Sequence, residues 1–206
     1  MPQHNEDPMI QEFLSWVEEK SVRGLIDPAS SQQPRFLPTD TLKCYLEANE
    51  FQNTKKLLRA VFRTKDFPVR AEEVAQKCPR VFCVLLLIGK GEFVRIFLQR
   101  RQLQDGLPFR VESPPEGFPH CPPERNGNEF LQRFCEMQWI VCASEMDFQL
   151  EEKIFEDEQI LPIMVSDRIE TGANAVCYKV VLHKQYNLLR GSTSNPAVSP
   201  GPTLAA

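Results

Sequence analysis

The stretch RIETGANAVCYKVVLH, Arg168 to His183, sets a turn of small residues between two strand-like runs. Such a turn can hold phosphate oxygens, because glycine lets backbone N–H groups approach an anion closely. Gly172 is the glycine of this turn. The other reactive side chains offer less. Seven cysteines, at 44, 78, 83, 121, 135, 142 and 177, are odd in number and irregularly spaced, which is no disulfide framework. Histidines at 4, 120 and 183 are too scattered to suggest the convergent ligands that zinc requires, so no metal is expected. Ser15, Ser21 and Ser144 have no histidine in a nucleophile pattern such as G-x-S-x-G. Cys142 and Cys177 would become nucleophiles only with a histidine beside them. The acidic pairs Glu18-Glu19 and Glu151-Glu152 read as solvated faces.

The elements around this turn divide the chain. Residues 1–135 read as a helical domain of five or six helices. Asp7 caps a first helix with Pro8 in its opening turn, and Ile10, Phe13, Leu14 and Val17 form its apolar stripe. Thr39 is the expected cap of a second helix, with Leu42, Tyr45 and Leu46 facing inward. Asn53 or Thr54 is the expected cap of a third, through Leu57, Leu58, Val61 and Phe62. A short helix over VRAEEVAQKC leads into the apolar VFCVLLLI, and Gly89 ends that element. GKGEFVRIFLQRRQL adds a further amphipathic helix through Phe93, Ile96 and Phe97. Six prolines between Gly106 and Gly127 mark an irregular surface connection, and EFLQRFCEM is one more short helix. From Gln138 the pattern turns extended: WIVCAS, ILPIMVSDRI and AVCYKVVLH are rich in β-branched and aromatic residues. Residues 190–206 are polar and small, and are expected to be disordered. The fold class is therefore α+β: a mainly helical N-terminal domain followed by a small antiparallel hairpin or sheet.

Bulk properties exclude some partners. The chain has 206 residues, 42% of them hydrophobic, including fourteen phenylalanines, which is enough for a core. A net charge of −4 and a pI near 5.5 give no global basic field for nucleic acid. Arg95, Arg100 and Arg101 cluster on a helix whose other face is apolar, as a solvated face does. VFCVLLLI would rise only about 12 Å as a helix, against about 30 Å of bilayer hydrocarbon. With no secretory signal at MPQHNEDPMI, the expected location is intracellular, cytoplasmic or nuclear, with no membrane and no nucleic acid as partners.

Gln138-Trp139, Leu161-Pro162-Ile163, Gly172 to Val180 and His183 to Asn187 stand in an order with a precedent. They resemble the entry into the kinase domain of a group of fungal serine/threonine kinase-like proteins. RFLPTDTLKCYL and RVFCVLLLIGKGEFVRIFL are similar to the helical region preceding that domain, so the resemblance covers residues 10 to 190. It implies that residues 136–189 are a partial kinase-like small lobe and that ATP-Mg is the family's cofactor. On the kinase pattern G-x-G-x-x-G-x-V, Glu170 falls at the first glycine, Gly172 at the second and Ala175 at the third. Cys177 takes the place of the valine that covers the adenine.

The departures from that pattern are chemical. Glu170 sets a carboxylate where polyphosphate would lie. The family's ATP-clamping lysine is due about fifteen residues beyond Cys177 on that resemblance, where Ser192 stands, and no lysine follows Lys184. Neither an H-R-D nor a D-F-G motif occurs in the sequence. Phosphoryl transfer rests on charge neutralisation by that lysine and metal ions. The expectation is a truncated kinase-like protein without catalytic machinery or bound cofactor, acting in protein interaction with an unidentified partner. Two alternatives stand beside it: a fragment of an ATP-dependent serine/threonine kinase, and a helical adaptor unrelated to nucleotides.

Overall fold

The structure is a computed structural model and describes residues 7–26, 33–64, 66–104, 106–119, 129–147, 158–169 and 177–189. Helix α1 (Pro8–Lys20) begins as expected: Asp7 Oδ1 accepts the Met9 N–H at 2.9 Å, and Pro8 occupies the first turn. Its stripe Ile10, Phe13 and Val17 is buried. A two-residue strand β1 (Val22–Arg23) then pairs antiparallel with β2 (Arg35–Phe36).

Helix α2 (Thr39–Phe62) is two helices joined through a left-handed turn, with Asn49, Glu50 and Phe51 at φ of 50°, 56° and 64°. Each such residue costs about 1–2 kcal/mol in an L-amino-acid chain. Two side chains offset part of that cost. Asn53 Nδ2 donates to Tyr45 O at 2.9 Å, and Thr54 Oγ1 donates to Leu46 O at 2.7 Å. Asn53 and Thr54 thus close the carbonyl end of the first half, where the sequence had suggested a cap for the second. Thr39 likewise is not the cap of α2 but its first residue; Pro38 precedes it and offers no side-chain bond.

α3 (Ala71–Lys77) and α4 (Pro79–Leu87) follow, and Pro79, Val81 to Leu86 of α4 are all buried. Gly89, at φ 67°, ends α4 as a left-handed cap, with Lys90 N–H on Leu85 O at 2.7 Å. The amphipathic stretch beyond it is broken rather than continuous. A 3-10 turn (Gly91–Phe93) precedes α5 (Val94–Gln99), extended Arg100 interrupts, and α6 (Arg101–Gln104) resumes. Gly91 sits so close to Val61 that a Cβ there would meet Val61 Cγ2 at 2.6 Å.

The proline-containing connection turns inward, contrary to the expected surface path. Leu107, Phe109 and Phe118 are buried; Phe109 stacks on Phe97 and Phe134 at 6.5 and 5.6 Å, and Phe118 meets both edge-on at 5.6 Å. Phe134 belongs to α7 (Glu129–Met137). Burial of these rings is the dominant stabilising term for this half of the core.

WIVCAS, read as a strand, is instead a 3-10 turn (Gln138–Val141) seated in the helical core. Gln138 explains the difference. It is fully buried, and its amide accepts the Phe109 N–H at 2.7 Å while donating to Phe109 O at 2.8 Å. One side chain thereby satisfies both main-chain polar groups of Phe109, which the core would otherwise strand.

The remaining strands are as expected. β3 (Ile163–Ile169) and β4 (Cys177–Leu182) form an antiparallel pair, followed by a 3-10 turn (Lys184–Tyr186). The architecture is α+β and mainly helical, with two small two-stranded sheets. Among the described residues no helix is long and apolar enough to cross a membrane. The acidic stretch 148–157 and the tail 190–206 lie outside the described residues.

Candidate functional site

The base of the β3–β4 hairpin is sewn to the helical body by backbone bonds. Leu25 and Leu161 exchange N–H···O bonds of 3.0 and 2.6 Å, and His183 N–H bonds Pro162 O at 2.8 Å. Gly24 permits this approach: a Cβ there would meet Leu161 O at 2.6 Å. Met146 N–H reaches Tyr186 O at 2.8 Å, and Leu188 N–H returns to Met146 O at 2.9 Å. Leu25, Met146, Leu161 and Ile163 form a small core beneath the hairpin, and Phe36, Ile160 and Tyr186 form another beside it.

Tyr186 carries the longest tie in sequence. Its hydroxyl accepts the Thr39 N–H at 3.2 Å and lies 3.3 Å from Thr39 Oγ1, while Gln185 Oε1 accepts the Asp40 N–H at 3.3 Å. Residues 185 and 186 thus cap α2, replacing the cap its own sequence lacks. Burial raises the Tyr186 phenol above its ordinary value, against the two bonds to Thr39. It therefore stays neutral and keeps its proton for bonding.

Above this base the hairpin stands clear of the body. The register sets Val165 opposite Val181, Asp167 opposite Lys179 and Ile169 opposite Cys177, with Ser166–Val180 and Arg168–Tyr178 between them. Alternation puts the first three pairs on one face and the last two on the other. Val165 is 48% exposed, Val181 52% and Ile169 46%, and Met164 and Val180 are also exposed. Antiparallel strands ordinarily bury one such face; here both are open.

The candidate cradle is only partly in view. Cys177 is exposed at the start of β4, on the face shared with Ile169, Lys179 and Val181. Gly172 and Ala175 lie outside the described residues. The register pairs Ile169 with Cys177, the residues on either side of the segment outside the description.

The other sequence candidates separate. Ser21 donates to Val17 O at 2.6 Å and is a structural cap. Cys78, Cys83 and Cys142 are buried, and burial pushes the Cys78 and Cys142 thiols up to about 12. Neither they nor Cys135, at about 11, supply a thiolate near neutrality. His183 Nδ1 is buried without a hydrogen-bond partner among the described residues. It lines a groove of about 560 Å³ with Cys44, Asp40 and Tyr45, its ring edge-on to Phe36 at 5.8 Å. Burial and then Lys184 lower its pKa, while Asp40 opposes them. Among the described residues no three His, Cys, Asp or Glu side chains are grouped to hold a metal ion.

Sequence reading gave no role to Tyr186 by itself. Tyr186 stands inside the His183 to Asn187 stretch, but its capping role is not legible there because it depends on Thr39, 147 residues away. Compared with protein-family models, curated proteins and solved structures, the chain matches none of them.

Proposed function

We propose that this chain is a kinase-like protein that acts through protein interaction and not through phosphoryl transfer, with the β3–β4 hairpin as its contact surface. The observation that carries the reading is the hairpin's open apolar area: Val165, Val181 and Ile169 on one face, Val180 on the other. Exposed, apolar and flanked by unpaired strand edges among the described residues, such a hairpin is a template for further β structure. The order of motifs from Gln138 to Asn187 supports the kinase-like assignment. The degenerate loop positions Glu170, Ala175 and Cys177 support a role without nucleotide.

A second reading is favoured by the pairing of Ile169 with Cys177 across the Gly172 turn. In a longer ATP-dependent serine/threonine kinase, additional strands of the same chain would cover these side chains. A photo-crosslinking residue at Val181, with one at exposed Glu12 as control, tests the proposal in cells. Protein crosslinks at 181 and not at 12 are expected; equal yield at both, or none at 181, refutes the contact surface. A thermal shift with millimolar ATP-Mg tests the rest. No shift is expected, and a saturable one would overturn the nucleotide-free role.

A further inference from the structure

The two hairpin faces are not equivalent. Val165, Val181, Asp167, Lys179, Ile169 and Cys177 share one face and are all exposed, whereas Ser166 and Tyr178 on the other are half-buried. We propose that the fully open face binds the same face of a second copy of this chain, in a two-fold dimer where Asp167 of each copy meets Lys179 of the other. The inference rests on the reading of the hairpin as a contact surface and names the partner at that surface.

The charges single out the occupant. Asp167 and Lys179 stand directly opposite each other in the register, so this face carries one acid and one base among apolar side chains. Among the described residues no ion pair engages either of them. An uncharged partner would cover both charges without a counterpart, and a partner patch of one sign would attract one and repel the other. A surface that answers both must set a base over Asp167 and an acid over Lys179, at the spacing of two neighbouring strands. This face is itself such a surface.

Symmetry makes the fit specific. A two-fold axis running along the strands, midway between two stacked faces, sets β3 of one copy over β4 of the other. Every cross-strand pair then recurs between copies: Val165 over Val181, Asp167 over Lys179, Ile169 over Cys177. Two opposite-charge pairs form per dimer, and apolar side chains meet apolar ones. An axis across the strands, centred on the charged pair, would set Asp167 over its own symmetry mate and Lys179 over its own; like charges disfavour it. Faces stacked in this way lie about 10 Å apart, within reach of the side chains of both.

Size sets the strength of the pairing. Residues 165 and 169 lie about 14 Å apart along their strand, and the two strands about 5 Å apart. Such a patch falls well short of the roughly 800 Å² per partner of a stable interface. The dimer is therefore reversible, with a Kd of about micromolar order rather than nanomolar. Because its charge pairs sit on a small and solvent-accessible patch, salt should weaken it.

Sedimentation equilibrium of the purified full chain across the micromolar range tests the pairing, with reductant present to keep exposed Cys44 and Cys177 as thiols. A reversible monomer–dimer equilibrium is expected. Asp167→Lys and Lys179→Asp, both at exposed positions, should each weaken self-association about tenfold or more. Mixed in equal amounts, the two variants should associate with each other at least as well as the wild type, because a basic face then meets an acidic one. A contact within one copy cannot produce that recovery. A chain that stays monomeric overturns the proposal, as do single variants that dimerise like the wild type, or a mixture that fails to associate. Crosslinks from residue 181 to other proteins, with the purified chain monomeric, would leave the contact surface standing and remove only the second copy as its occupant.

Discussion

Removing one oxygen from Tyr186 measures how far the hairpin segment holds the helical domain together. In Tyr186→Phe the ring keeps its edge-on contact with Phe36 at 5.5 Å, so packing is conserved. What disappears is the acceptor for Thr39 N–H at 3.2 Å and the contact with Thr39 Oγ1 at 3.3 Å. Tyr186 is 4% exposed, so water does not easily replace the lost oxygen. The loss is that of a helix cap, about 0.5–2 kcal/mol, because Pro38 offers α2 no side-chain cap and Gln185 on the Asp40 N–H leaves the Thr39 N–H unserved. For a chain of this size each kcal/mol moves Tm by about 2–4 °C, giving a fall of about 1–8 °C. Tyr186→Ala removes the ring as well and should cost about 3–5 kcal/mol. Urea unfolding gives the free energies, and amide exchange locates them: Thr39 N–H should lose protection in Tyr186→Phe while the α4 amides keep theirs. A Tyr186→Phe protein of wild-type stability with Thr39 still protected would refute the claim that residue 186 caps α2.

Gln138→Ala should be more damaging, because both main-chain polar groups of Phe109 lose their partner in the core. A cost of about 2–5 kcal/mol is expected from two unsatisfied buried groups, read by urea unfolding. Thiol labelling at pH 8 should modify exposed Cys44 and Cys177 at once, and Cys78, Cys83 and Cys142 only on unfolding; mass spectrometry of the labelled peptides checks this. Glu73 accepts from Arg70 at 2.8 Å and Lys77 at 2.9 Å, and these bonds hold its carboxyl down to about 2. A depressed carboxylate favours the folded state above its unfolded value near 4.5, and that preference fades as pH falls through about 2. Carbon NMR of the Glu73 carboxyl should show a midpoint near the lower value, and a midpoint above 4 would contradict the pairing.

Where the sequence was informative, the signal was local. The α1 cap at Asp7, the buried α4 and its glycine end, and the extended pattern of 163–169 and 177–182 all follow from nearest neighbours and periodicity. The errors fall where a distant group won. WIVCAS has strand composition, yet Gln138 spends its amide on Phe109 and the segment coils into the core. Asn53 and Thr54 look like caps of the helix they begin, but they bond back across the left-handed turn. The two short strands β1 and β2 carry too few residues to show a period at all.

Amino-acid order alone decided the α+β composition, the helical stripes and the extended character of 163–169 and 177–182, since each depends on residues within a few positions of one another. Tertiary structure decided which polar groups find partners: Tyr186 on Thr39 across 147 residues and Gln138 on Phe109. It also decided that both hairpin faces stay open. Burial and charge pairing are properties of position in space, and a chain acquires them only when remote segments meet.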